Sequence, residues 1–262
     1  MRLQRPHRVV LPISRLRRVW LVGALLVAAL VLWAMQPRDA VRGAPIGLFT
    51  TLPILWNEAP DIAAQLNDPA PPHWARSELE ARGDIVPLDT LAASGSASPL
   101  ANLSRLVIAQ PRPLSPQENV ALDAWVRGGG RLLLLADPAL TQHSDFPIAD
   151  PRRPQAVALL SPILARWGLE LTFDDAQPFG ERMQAGPTVP VPVNLAGRWR
   201  LAPAPGGGEP CGTVADGLVA ICALGKGRVV AVADAAVLEP EDPAGARRAA
   251  LNWLLDEARR DR

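Results

Sequence analysis

The residues of this 262-residue chain whose types could do chemistry are two cysteines, three histidines and a few carboxylates next to turns. A nucleophilic cysteine needs a histidine and a carboxylate within hydrogen-bond reach. Cys211 and Cys222 lie far along the chain from His7, His73 and His143, and no Cys–His pair suggests itself. His143-Ser144-Asp145 has the composition of a hydrolytic triad, but three consecutive side chains point in different directions and cannot converge. No Gly-x-Ser-x-Gly is present, and Ser115 has another use as a helix cap. Zinc ligands would need closer spacing than the cysteines have. Gly206-Gly207-Gly208 neither follows an apolar strand nor opens a helix, so it does not read as a phosphate loop. Asp174-Asp175 and Glu239, Glu241 and Asp242 read as solvated loops. The expectation is a protein without a metal or cofactor and without catalytic activity.

The cysteines fit a structural pattern better. They flank a segment that turns on Asp216-Gly217, a favoured two-residue hairpin pair. In that register Val214 faces Val219 and Cys211 faces Cys222. Counting outward from the turn makes the cysteines a hydrogen-bonded pair, whose Cα atoms are the more widely spaced kind. The pattern fits a disulfide in an oxidising compartment, with two buried free thiols as the alternative.

The elements that must position these groups alternate between strands and helices. Ile46 to Thr50, Asp84 to Leu88, Leu106 to Ala109, Arg131 to Ala136, Leu169 to Phe173 and Arg228 to Ala233 read as strands. Pro60 to Leu66 reads as a short helical piece, and Trp74 to Arg82 as a helix capped by Gly83. The clearest helix starts at Ser115, where Ser115 and Glu118 form a capping box and Pro116 takes the first turn. Its expected apolar face is Val120, Leu122, Trp125 and Val126, and Gly128-Gly129-Gly130 ends it. Ala156 to Trp167, kinked at Pro162, and Pro243 to Arg259, buried along Ala246, Ala249, Ala250, Trp253 and Leu254, complete the helices. Residues 174–208 are dense in Pro and Gly and read as an irregular insertion with short strands. Strand, helix and strand in this order predict an α/β domain, doubly wound around a mostly parallel sheet, with an added β-hairpin. Ligands in such sheets sit at the carboxyl ends of the strands. The weak ligand-binding candidates are therefore Thr50, Thr51, Gln110, Asp137 and Asp234, with turn chemistry as the alternative role of the two aspartates.

The chain begins with a different signal. Residues 1–18 carry six arginines and no acid, and an unbroken apolar run follows from Val19 to Met35. At about 1.5 Å per residue this run spans roughly 26 Å, at the short end of what a bilayer core requires. Trp20 and Trp33 lie near its two ends, where indoles favour the interface. A cleaved signal peptide is the alternative to an uncleaved signal anchor. The arginines place residues 1–18 in the cytoplasm, so the expected organisation is a basic cytoplasmic tail, a transmembrane anchor over 19–35, a linker over 36–44 and an extracytoplasmic domain over 45–262. The corresponding location is the inner (cytoplasmic) membrane of a bacterial-type cell, single-pass. The net charge of +1 comes mostly from the tail and leaves no basic surface suited to nucleic acid.

The segment Leu114 to Pro138, a helix carrying Trp125, a glycine run and an apolar strand ending in Asp137-Pro138, resembles the membrane-anchored domain of GldG-type proteins. These are auxiliary components of uncharacterised ABC-type transport systems. Gly225-Lys226-Gly227-Arg228, leading into a strand that ends at Asp234, and Asn252-Trp253-Leu254 are similar to later motifs of the family. The resemblance implies a flavodoxin-like or class I glutamine-amidotransferase-like fold and partnership with an ABC permease and ATPase. The family generally has a further membrane helix near its C-terminus, a feature not found before Arg262. The expected function is a membrane-anchored accessory or ligand-sensing subunit whose small-molecule ligand is unknown. The alternatives are a membrane-tethered hydrolase with an unrecognised site and an envelope scaffold.

Overall fold

The computed structural model describes residues 43–58, 71–95, 97–205, 211–241 and 245–260. The apolar run Val19 to Met35 and the helical piece expected over Pro60 to Leu66 lie outside the described residues. Among the described residues no helix is long and apolar enough to cross a membrane.

From Arg42 onward the chain forms one compact unit built on a seven-stranded sheet. In chain order its elements are β1 (Ile46–Thr50), α1 (Trp74–Glu80), β2 (Ile85–Pro87), β3 (Arg105–Ala109), α2 (Pro116–Arg127), β4 (Arg131–Leu135) and α3 (Ser161–Arg166). There follow β5 (Leu169–Thr172), β6 (Arg182–Gln184), β7 (Val191–Val193), β8 (Arg198–Leu201), β9 (Gly212–Val214), β10 (Val219–Leu224), β11 (Gly227–Val232) and α4 (Ala246–Arg259). The order across the sheet is β2-β1-β3-β4-β11-β10-β9. The first five strands run parallel and the β9–β10 hairpin joins antiparallel to β11. Reading β11 as the fifth parallel strand gives the 2-1-3-4-5 order of doubly wound sheets. Leu132 to Leu135 and Val229 to Val232 are buried, as central parallel strands covered on both faces must be.

Glycines in the Gly225-Lys226-Gly227-Arg228 motif set how closely a helix approaches the sheet. A Cβ on Gly227 would lie 1.9 Å from the Val126 carbonyl oxygen of α2. The next residue, Arg228, reaches the opposite face and hydrogen-bonds the Glu257 carbonyl of α4 at 2.9 Å. Successive strand residues face opposite sides, so α2 and α4 cover different faces of the sheet.

The capping box forms as expected: Ser115 Oγ accepts from the Glu118 N–H, and a Glu118 carboxylate oxygen accepts from the Ser115 N–H. The expected apolar face of α2 needs correction, because Val120 is 70% exposed and the buried residues are Glu118, Leu122, Asp123 and Val126. Asp123 is buried because it is fully engaged: it accepts from Arg127, Arg166 and the Trp167 indole. The helix expected over Ala156 to Trp167 starts only at Ser161. Pro162 lies in its first turn, where a proline without an N–H starts a helix instead of kinking one. Gly168, at φ +76°, ends it in the left-handed conformation. Gly83 is not a left-handed cap. It is required by close approach, since a Cβ there would meet the Ala44 carbonyl oxygen at 2.4 Å. On α4, Ala250, Trp253 and Leu254 are buried as expected, Ala249 is exposed, and Arg247, Leu251, Leu255, Glu257 and Ala258 are buried with them.

Residues 174–208 contain β6 and β7, paired into a small antiparallel sheet, and β8, paired with β5 in another. The Cys hairpin has the register read from the turn, with Val214 opposite Val219. Cys211 and Cys222 are joined by a disulfide across it. Their Cα atoms are 4.2 Å apart, the close spacing and not the wide one expected from counting outward from the turn. Cys211 lies immediately before the start of β9, so the ladder no longer fixes its spacing. Closing a loop with a sequence separation of 11 removes entropy from the unfolded chain. Replacing both cysteines by alanine is therefore expected to cost about 2–3 kcal/mol, read as a lower urea midpoint. An unchanged midpoint would show that the hairpin is held by its packing alone.

Candidate functional site

The carboxyl ends of the parallel strands bring Thr50, Thr51, Gln110, Asp137 and Asp234 into one region. Gln110, fully buried, ends β3 with a positive φ of 42°. Its carboxamide oxygen accepts from the Asp137 N–H at 2.9 Å, and its Nε2 donates to the carbonyls of Asp137 and Gln155 at 3.2 and 2.7 Å. Thr50 Oγ1 donates to the Ala109 carbonyl at 2.7 Å, and Thr51 Oγ1 donates to the Gln110 carbonyl at 2.5 Å. Thr51 Oγ1 also accepts from the Gln155 N–H at 3.0 Å. Thr51 and Gln110 thus tie the segment around Gln155 down over the strand ends, with the polar groups of both side chains engaged. Gln155 was not singled out from the sequence, because nothing in its own neighbourhood marks it.

Asp137 and Asp234 follow the carboxyl ends of the adjacent strands β4 and β11, and both are buried. Asp137 accepts from the N–H groups of Ala139 and Ala235 at 2.7 and 3.2 Å. Asp234 accepts from those of Ala236 and Asn194 at 2.5 and 2.9 Å. Burial pushes the Asp137 carboxyl up to about 6, and burial together with the neighbouring Asp137 charge raises Asp234 well above the usual range. Two carboxyls with raised affinity for protons could in principle serve as a general acid and base. Here each is enclosed and committed to two backbone donors, so a substrate atom could not reach it without displacing the fold. This geometry is that of strand-end turn chemistry.

The histidines also have structural positions. His73 caps α1: its Nδ1 accepts from the Ala75 N–H, leaving Nε2 to donate to the Leu238 carbonyl at 3.0 Å. Burial lowers its affinity for a proton, in keeping with a neutral ring. In the His143-Ser144-Asp145 run, Ser144 Oγ donates to the Glu58 carboxylate at 2.9 Å and is unavailable to the exposed His143. Among the described residues no group of three or more His, Cys, Asp or Glu side chains could hold a metal ion.

Open space lies beside the network instead of within it. A cleft of about 310 Å³ is lined by Thr50, Thr51, Trp56, Asn57, Phe146 and Arg152. It opens at the carboxyl end of β1, between whose neighbours β2 and β3 the sheet reverses its order. Trp56 is 42% exposed, and Arg152 lies 4.2 Å from the Phe146 ring centroid. Glu58, next in sequence to Asn57, has a buried Oε1 without a hydrogen-bond partner. Of the sequence-derived candidates only Thr50 and Thr51 border this cleft. Trp56 and Arg152 carried no motif, and only the folding of the 139–160 loop places Arg152 near β1.

The family described as ABC-type uncharacterized transport system matches residues 46–182, just over half of the chain. The chain belongs to this family. Membership places it among accessory components of ABC-type transport systems, and the matched span runs from β1 to the start of β6. The Gly225 to Asp234 motif lies beyond that span. No curated protein matches the chain. Solved structures similar to it include an exo-β-1,4-mannosidase from Opitutaceae bacterium strain TAV5, with 16% identity and a TM-score of 0.43 over 84% of this chain and 35% of that one. A GH42 β-galactosidase from G. stearothermophilus has 13% identity and a TM-score of 0.44 over 82% and 30% of the two chains. A putative ThuA-like protein from Parabacteroides merdae has 12% identity and a TM-score of 0.32 over 73% and 79%. The chain spans about a third of the length of the glycosidases it matches.

Proposed function

We propose that this family member is a non-enzymatic, single-pass subunit whose α/β domain lies outside the cytoplasm and senses a small ligand beside an ABC permease and ATPase. Family membership carries the transport association. The basic tail and the apolar run Val19 to Met35 support the anchor and its orientation, and the Cys211–Cys222 disulfide fits an oxidising compartment. The cleft beside Thr50 and Thr51 is the place for a ligand, because it is open and combines an exposed indole with polar neighbours. The locked strand-end carboxyls argue for binding without chemistry.

A C-terminal alkaline phosphatase fusion tests the orientation. Activity in a bacterial host is expected, and an inactive but stable fusion would contradict it. A thermal-shift screen of sugars, amino acids and nucleotides on the full-length protein tests the sensing role. At least one class should raise the unfolding temperature of the wild type and not that of Trp56→Ala. A compound that stabilises both proteins equally would move the ligand away from this cleft. A scaffolding role is the second reading, favoured by the exposed Phe173, Phe179 and Met183 in and beside residues 174–208.

A further inference from the structure

The amino edge of the parallel sheet, opposite the cleft, carries a basic cluster. Arg105, Arg131 and Arg228 stand opposite one another at the starts of β3, β4 and β11, so they form one row on one face of the sheet. Arg82 follows α1, and Arg259 and Arg260 end α4 at the same edge: Arg82 pairs with Asp256 at 2.6 Å, and Arg131 donates to the Arg260 carbonyl at 3.1 Å. Against these six arginines stand Asp84, Asp256 and Glu257, the last of which pairs with both Arg228 and Arg260. Arg105 donates to the Arg82 carbonyl at 3.1 Å, and its buried Nε has no partner. Burial and the neighbouring Arg259 and Arg82 cations lower the affinity of its guanidinium for a proton. Six arginines against three acids leave an excess of positive charge at this edge, which an anionic surface would balance.

The route of the chain points to that counter-charge. Gly43 packs directly on this cluster, where a Cβ would lie 2.2 Å from the Arg82 carbonyl oxygen and 3.0 Å from an Arg105 Nη. The eight steps from Met35, the last apolar residue of the run, to Gly43 reach at most about 28 Å when fully extended. The linker itself adds Arg38 and Arg42. If Val19 to Met35 crosses the bilayer, the amino edge is tethered within reach of the headgroups.

We propose that this edge is a membrane-docking face, which sits against anionic phospholipid headgroups of the leaflet from which residues 36–42 emerge. This rests on the anchored, single-pass reading. Anionic lipid attracts juxtamembrane basic groups within about a Debye length, so the contact sets the height and tilt of the domain and points the cleft away from the bilayer.

The test is hydrogen–deuterium exchange on the full-length protein in nanodiscs of phosphatidylcholine alone and of phosphatidylcholine with phosphatidylglycerol. Peptides covering Gly43 to Gly47 and Ser104 to Leu106 should exchange several-fold more slowly in the anionic discs. The protection should vanish at about 1 M salt, where the Debye length is about 3 Å. It should also vanish in Arg259→Glu, an exposed site whose change leaves the core intact, and weaken in Arg105→Gln. Equal exchange in both lipids overturns the docking face while leaving the anchor standing. A chain that separates from both kinds of disc overturns the anchored reading itself. Protection that appears in native membranes but in neither disc assigns the edge to an acidic protein partner and overturns the lipid assignment.

Discussion

Replacing Glu118 by alanine is expected to cost the domain about 4 kcal/mol, by analogy with removing one partner from a buried, hydrogen-bonded ion pair. Its carboxylate, almost fully buried, accepts from Arg112 at 2.8 and 2.9 Å, from the N–H groups of Ser115 and Leu91, and from Thr90 Oγ1. One side chain thus joins the cap of α2, the loop after β2 and the loop after β3. Its removal leaves several donors without an acceptor in a place water enters poorly. For a domain of this size about 4 kcal/mol lowers the melting temperature by roughly 8–16 °C. Glu118→Gln keeps the shape and one acceptor, so calorimetry should place it between wild type and alanine. The hydrogen bonds from Arg112 hold the Glu118 carboxyl well below the usual glutamate range. A depressed folded value means that this stabilisation is fully present above the unfolded value and is lost only as the pH falls through the folded one. The hub therefore resists acid. A melting temperature within a degree or two of wild type for the alanine variant would show that α2 does not depend on it.

Stability should also fall as the pH rises from about 4 to above 6, the reverse of the Glu118 behaviour. Asp137 binds its proton more tightly in the folded state, up to about 6 against an ordinary 3.8. Between those values the folded state holds protons that the unfolded chain has released, so raising the pH favours unfolding. Each pH unit over which one such proton is held only by the folded state is worth about 1.4 kcal/mol, and the effect belongs to the two neighbouring carboxyls together. The raised Asp234 acts in the same direction. Urea midpoints measured at pH 4, 5, 6 and 7 should fall along the series. The Asp137→Asn, Asp234→Asn double variant should have a nearly flat profile, even if its overall stability drops because an amide nitrogen cannot accept from the Ala235 or Asn194 N–H. A wild-type midpoint that rises with pH would mean that the two carboxyls ionise freely, and that the backbone donors outweigh their burial.

Local signals in the sequence carried most of the fold. Ser115, Pro116 and Glu118 mark a helix start whose physics lies within four residues, and Asp216-Gly217 sets a hairpin register that the ladder follows. Runs such as Leu132 to Leu135 identify central strands because only a strand covered on both faces buries every residue. Errors arose where a distant partner decides burial. Val120 is as apolar as Leu122, yet the side of α2 toward α3 is held by Asp123, which finds Arg166 and Trp167 more than forty positions away. Buried Arg247 takes a place on α4 because the Ala236 carbonyl and Glu239 await it.

The strand-end positions were legible from topology alone. Their state was not. Thr51, Gln110, Asp137 and Asp234 meet as the parallel-sheet rule requires, but whether such a group faces a ligand or its own backbone depends on loops without a motif. Gln155 and Asn194, which complete the closure, are ordinary loop residues in the sequence. The cleft depends equally on Trp56 and Arg152, nearly a hundred residues apart in the chain.

The central claim of the proposed function is that this chain works as a partner of an ABC transport system, the association its family membership supports. Affinity purification of the tagged, full-length protein in mild detergent, followed by mass spectrometry, tests it most directly. An ABC ATPase and a permease should be recovered together with the bait, in amounts that survive washing. Recovery of neither from membranes that contain the intact protein would contradict the claim.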